Sequence, residues 1–340
     1  MNKDLNTPSK LSCQPAIYGG HQAWRLQSGE LSLMVVRRGG RIMELNWAGE
    51  QLSFDNHRLA SSAALDPQQR PSGLDWPDLL YGGDKTWVAP QADWPQGLPP
   101  LAIDASDYQC ALLTETPELV ELLLTSPACP ETGLQISRRI RLAADAGPQL
   151  SINHRFINVS DSAVRWGLWD VDMVRAGWVL IPRGAGLVVY ANEGDSTALV
   201  PARVQELGDY YLIDHTGPQV SKYGSQSPAG HNPQITGLLP SQQQPGSYLS
   251  YHKSFDLATL ETDGKATGQY GNGASQETFK SVPTDPADPG NVYDYTELEL
   301  EAPLIELSPG QSASVTEYRC FGRVTELPAT VQDAARLLSV

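Results

Sequence analysis

From residue 107 onward the chain is a succession of short apolar or alternating segments divided by turn residues. That spacing limits the fold more than any other feature. Segments 108–115 and 119–125 flank Thr116-Pro117-Glu118, and 134–142 and 149–158 flank Ala144-Asp145-Ala146-Gly147-Pro148. Further strands are expected at 164–174, 178–182, 188–191, 210–214, 248–255, within 267–280, at 293–307 and at 313–321. Earlier, Leu31 to Val36 and Arg41 to Trp47 enclose Arg37-Arg38-Gly39-Gly40 and read as a hairpin. Only the tail reads as helix, with Thr330 and Asp333 at its start. Strands recurring every 8–14 residues with almost no helix predict an all-β protein built as a sandwich of antiparallel sheets.

With 340 residues the chain is long enough to bury a large core. Residues 1–20 read as a flexible polar arm and 21–340 as one domain, because no linker divides the rest. The net charge of −15 excludes partners that need clustered Lys and Arg, namely nucleic acid and anionic membranes. No run of about 18 apolar residues is present, as a membrane-crossing helix would need. The first fifteen residues lack the apolar core of a signal peptide. The expected location is cytoplasmic, or periplasmic if a leader was removed. Cys13, Cys110, Cys129 and Cys320 lie far apart with no Cys-x-x-Cys, and no metal or cofactor is expected.

Tyr81-Gly82-Gly83-Asp84-Lys85-Thr86-Trp87 carries two glycines, an acid, a base and an indole within seven residues, and Trp94 follows. It reads as a loop forming one wall of a sugar site. Trp87 and Trp94 offer flat platforms for pyranose C–H faces, and Asp84 and Lys85 offer charge-assisted hydrogen bonds to hydroxyls. An internal staple with tryptophan plugs would use the same residues. In 293–301, alternation puts Tyr293, Tyr295, Glu297, Glu299 and Glu301 on one face and Leu298 and Leu300 in the core. Crowded carboxylates raise one another's pKa when buried and suit proton transfer to a sugar hydroxyl; a solvated acidic face is the alternative. Asp170 and Asp172 share a face with Trp166 and Leu168, and Trp169, Val171 and Met173 take the other; either face could line a cleft. His154 alternates with Leu150, Ile152 and Phe156 and reads as a core histidine. His231 lies in a Gly/Pro-rich stretch expected to be a long loop over 224–247, and Lys222 precedes it.

Gly39-Gly40-Arg41, then Gly82 to Trp87, then Glu297-Leu298-Glu299 with Pro303 to Gly310 appear in the order that resembles the galactose mutarotase-like, or aldose 1-epimerase-like, superfamily. The nearest likeness is to a bacterial branch with a GGDK-x-W stretch. The resemblance spans roughly residues 28–322. It implies a β-supersandwich of large twisted antiparallel sheets with a sugar cleft on a concave face. It also implies a glutamate as base on the anomeric hydroxyl, here Glu299 or Glu297, and a histidine as acid on the ring oxygen. The family's His-x-Tyr-Phe-Asn has no counterpart, since 164–172 contains no histidine. Asp170, His231 and Lys85 are the remaining acid candidates. Trp169, Lys222 and Tyr295 join Asp84, Lys85, Trp87 and Trp94 as expected sugar contacts. The function these readings imply is carbohydrate binding with an aldose 1-epimerase-type activity, or else a non-catalytic sugar-recognition or structural module. The expected partner is a small sugar or oligosaccharide, and the expected state a monomer or weak homo-oligomer.

Overall fold

The computed structural model describes residues 11–144, 147, 149–190, 203–218, 220–228, 230–281 and 294–338. Among them the strands form two antiparallel sheets, one of thirteen strands and one of ten. The path through the larger sheet begins Ser12–Tyr18, His21–Ser28, Leu31–Val36, Arg41–Trp47. It continues Asp84–Ala89, Val164–Arg175, Tyr295–Glu301, Gln276–Lys280, Ser221–Ser225, Leu187–Val189. The smaller sheet centres on Tyr248–Thr262, Ser312–Val324, Gln149–Asn158 and Leu134–Ala143. The sheets face each other across one apolar core, to which Val35, Ile42, Val88, Leu168, Leu298 and Leu300 contribute from one side and Ile136, Ile140, Ile152, Phe156 and Phe255 from the other. The C-terminal helix is Val331–Leu338, where Thr330 and Asp333 exchange capping hydrogen bonds.

Several expectations change. The arm expected over 1–20 is strand from Ser12 to Tyr18, paired with His21–Ser28 through Ala16 opposite Ala23. The long loop expected over 224–247 contains the end of Ser221–Ser225 and all of Gln234–Pro240, both hydrogen-bonded in sheets. The turn residues there punctuate strands instead of replacing them. The largest change concerns the stretch read as a ligand loop. Asp84–Ala89 is a fully buried strand in the middle of the larger sheet, paired with Val164–Arg175. Gly82 and Gly83 let the chain enter it. Both have positive φ, +92° and +68°. A Cβ would lie 2.6 Å from the Phe54 carbonyl oxygen at Gly82 and 2.5 Å from that of Ile42 at Gly83. Only glycine fits so close a backbone approach.

Candidate functional site

Strand alternation decides which side chains reach the site. Residues directly opposite in neighbouring strands share a face. Trp87 pairs with Trp169, Lys85 with Val171, Val171 with Glu299, Met173 with Glu297, Glu299 with Glu277, and Glu297 with Phe279. All therefore lie on the side of the larger sheet that faces away from the smaller sheet. On that side lies a cavity of about 420 Å³, lined among others by Lys85, Trp87, Trp169, Lys222, Phe279, Tyr295 and Glu297. The short helix Trp76–Leu79 covers one side. Its N-terminus is fixed by a capping box between Asp75 and Asp78.

The polar groups are paired. Lys85 Nζ donates to Glu297 Oε1 at 3.0 Å, and its ammonium sits 4.2 Å from the centre of the Trp87 ring. Lys222 Nζ lies 3.1 Å from Glu299 Oε2 and 2.7 Å from Glu277 Oε2. The Trp169 indole N–H also donates to Glu299 Oε2, at 3.1 Å. Burial pushes Glu299 up to about 8, with Glu277 and Glu297 adding to the rise and Lys222 opposing it. Glu301, sealed by burial and beside Glu277, is raised well above the usual carboxylate range although the N–H groups of Gly271 and Asn272 donate to it. Burial tends to lower Lys222, but Glu277 and Glu299 outweigh it and raise its pKa. The site thus offers two ammonium groups, the Lys85–Glu297 ion pair, a buried carboxyl one pleat away, and indole faces.

On the opposite face of the same strands, Asp84, Asp170 and Asp172 point between the sheets. Lys253 Nζ donates to Asp170 Oδ1 at 2.5 Å, to Asp172 Oδ2 at 2.6 Å and to the Leu298 carbonyl at 3.3 Å. Arg319 reaches Asp84, Asp170, Asp172 and Glu317, and Arg138 reaches Asp84 and the Gly40 carbonyl. His154 sits between Glu317, at 2.9 Å, and Thr86 Oγ1, at 3.2 Å. Burial lifts Asp172 to about 7. Against burial, Lys253 and Arg319 hold Asp170 below its usual value, and Arg319 and Lys253 do the same for Glu317. These carboxylates are close enough to one another to hold a cation, but the chain's own Lys253, Arg138 and Arg319 already occupy that role.

The architecture has counterparts among solved structures. The chain is similar to a TPR-domain containing protein from Parabacteroides distasonis, with TM-score 0.58 and 13% identity, covering 92% of this chain and 48% of that one. It therefore spans about half the length of that neighbour. It is similar to a galactose mutarotase-like protein from Lactobacillus casei, with TM-score 0.52 and 9% identity over 88% of this chain and 100% of the other. It has the galactose mutarotase-like fold. A provisionally named aldose 1-epimerase from Escherichia coli K12 aligns over 92% of this chain and 99% of its own, with TM-score 0.51 and 18% identity. No family model matches the sequence, and no curated protein matches it.

Within this mutarotase-like fold the expected site residues separate into two groups. Lys85, Trp87, Trp169, Lys222, Tyr295 and Glu297 line the cavity, and Glu299 lies directly behind it. Asp84 does not; it is locked to Arg138 and Arg319 on the other face, so it cannot pair with Lys85 either. Asp170 is excluded as an acid for the same reason, being wholly buried between sheets under Lys253 and Arg319. His231 is exposed beside a separate hollow formed with Arg183, Asp209 and Tyr210. Trp94 packs behind the floor, 5.0 Å from Trp87 and 5.6 Å from Trp169, and its indole N–H donates to the Val88 carbonyl. Tyr293 lies outside the described residues. Glu277, Phe279, Tyr190 and Trp76 were not anticipated. Alternation within Gln276–Lys280 puts Glu277 and Phe279 on one face, but only the pairing with Tyr295–Glu301 brings that face to the cavity.

Proposed function

We propose that the cavity binds a pyranose and interconverts its anomers, with Glu297 as base and Lys85 as acid. One observation carries the reading: a carboxylate and an ammonium 3.0 Å apart both line a sugar-sized cavity beside the Trp87 and Trp169 rings. Glu297 takes the proton of the anomeric hydroxyl while Lys85 gives one to the ring oxygen. The C1–O5 bond breaks, the electron pair leaves with O5, and the carbonyl forms at C1. Rotation about C1–C2 presents the other carbonyl face. On reclosure the O5 hydroxyl attacks C1, its proton returns to Lys85, and Glu297 returns its proton to O1. No net proton is consumed. Indole faces hold the sugar's C–H groups, and the fixed ion pair supplies orientation before reaction.

A second reading, a cleft that binds without turnover, is favoured by Val164–Arg175, which has no histidine. Exchange NMR on D-glucose, D-galactose and D-mannose separates the two. The wild-type protein should accelerate anomer exchange, and Glu297→Gln and Lys85→Met should each lower the rate by about a hundredfold or more. Binding without acceleration by wild type would leave only the second reading.

A further inference from the structure

Glu277 and Glu299 stand directly opposite each other on adjacent strands. Like charges there are destabilising, yet both side chains are almost fully buried, at 1% exposure each. Lys222, from the next strand, reaches across to both. The Tyr190 hydroxyl donates to the remaining oxygen, Glu277 Oε1, at 2.7 Å. Lys222 in turn lies 5.2 Å from the Trp169 ring and 5.3 Å from the Tyr190 ring. Glu277 is not among the residues lining the cavity, whereas Lys222 is, with a side chain 21% exposed. The acid thus has no direct view of a ligand but holds a cation that does.

We propose that Glu277 is a positioning residue: with Tyr190 and Glu299 it clamps Lys222 over the Trp169 face, aiming the ammonium at a hydroxyl of the bound sugar. The inference rests on the reading of the cavity as a pyranose site. Its geometry is fixed without a ligand, which allows the two to be tested apart. A four-carbon lysine stem is flexible on its own. Two carboxylates, one of them anchored by a tyrosine hydroxyl, remove that freedom before the sugar arrives. Each carboxylate also has a distinct task. Glu299 shares its Oε2 between Lys222 and the Trp169 indole N–H, and so ties the ammonium to the aromatic platform. Glu277 supplies the second point of attachment.

The test uses the full chain with labelled lysine Nζ and glutamate carboxyl carbons, read by NMR, and D-glucose and D-galactose as probes. Glu277→Gln is expected to shift the Lys222 Nζ resonance and to lower the titration midpoint of Glu299, since a neighbouring negative charge is gone. Affinity for the probe should fall about tenfold. Glu277→Asp restores the charge but not the reach; it should return the Glu299 midpoint toward wild type while leaving affinity low. Tyr190→Phe, which removes only the anchoring hydroxyl, should shift the Lys222 resonance in the same direction. An unchanged Lys222 resonance and Glu299 midpoint in Glu277→Gln would overturn the clamp. So would full recovery of affinity in Glu277→Asp. If wild type binds neither sugar, the reading of the cavity fails, and the two resonances still decide whether the clamp exists.

Discussion

Glu297 and Glu299 are two residues apart on one strand and meet different surroundings. Glu297 reaches the cavity and Lys85; Glu299 is sealed behind Trp169, and burial pushes its pKa up to about 8. An unfolded glutamate loses its proton near 4.5. Between those values the folded state binds more protons than the unfolded one, so this stabilisation is full below about 4.5 and is lost as pH rises through 8. Asp172, raised to about 7 by burial, acts in the same direction. Asp170 and Glu317 are held low and act in the opposite direction, losing their contribution only in more acidic solution. The buried His215 and His252, lowered to about 3 and 4 by burial, oppose the fall below about 6.5, so the melting temperature should fall as pH rises from about 7 to 9, and Glu299→Gln should flatten part of that fall. Calorimetry across the range checks it; a melting temperature that rises with pH would contradict the assignment. The alternation of Glu297, Glu299 and Glu301 was legible in the sequence because period two needs no partner. Which of them opens to the cavity depends on Lys85, Lys222 and Glu277, each brought in by strand pairing across long sequence separation, and no local pattern encodes that.

At the scale of the strand, Asp84–Ala89 shows how one segment serves two environments. Lys85 and Trp87 face the cavity; Asp84 and Thr86 face Arg138, Arg319 and His154 between the sheets. Reading Gly82 to Trp87 as a loop hid this alternation and put Asp84 beside Lys85. The glycines misled because they mark the sterically tight entry into the sheet, not a turn exposed to ligand. Gly83→Ala should destabilise the fold by about 1–3 kcal/mol, through the positive φ and the close Ile42 carbonyl, as denaturant titration would reveal. Lys253→Met removes the cation shared by Asp170 and Asp172 and leaves buried carboxylates uncompensated. The expected cost is about 3–5 kcal/mol, measured the same way. A loss below 1 kcal/mol would mean that Arg138 and Arg319 alone balance the cluster.

Across the whole molecule, one core joins the two sheets, so heat or denaturant should unfold the described body in a single transition, with coincident tryptophan fluorescence and far-ultraviolet circular dichroism curves. The all-β class was readable from turn-punctuated strands at regular spacing. Strand order was not, since Asp84–Ala89 pairs with Val164–Arg175 and that strand with Tyr295–Glu301, contacts between segments far apart in the sequence that no local pattern encodes. The proposed function has the outer face of the larger sheet take a pyranose against its indoles. Saturation-transfer NMR of D-glucose and D-galactose on wild type and Trp87→Ala tests it most directly. Transfer to the C–H protons of at least one sugar ring is expected in wild type, with its loss in Trp87→Ala. Transfer to neither sugar, or transfer undiminished by the substitution, would contradict it.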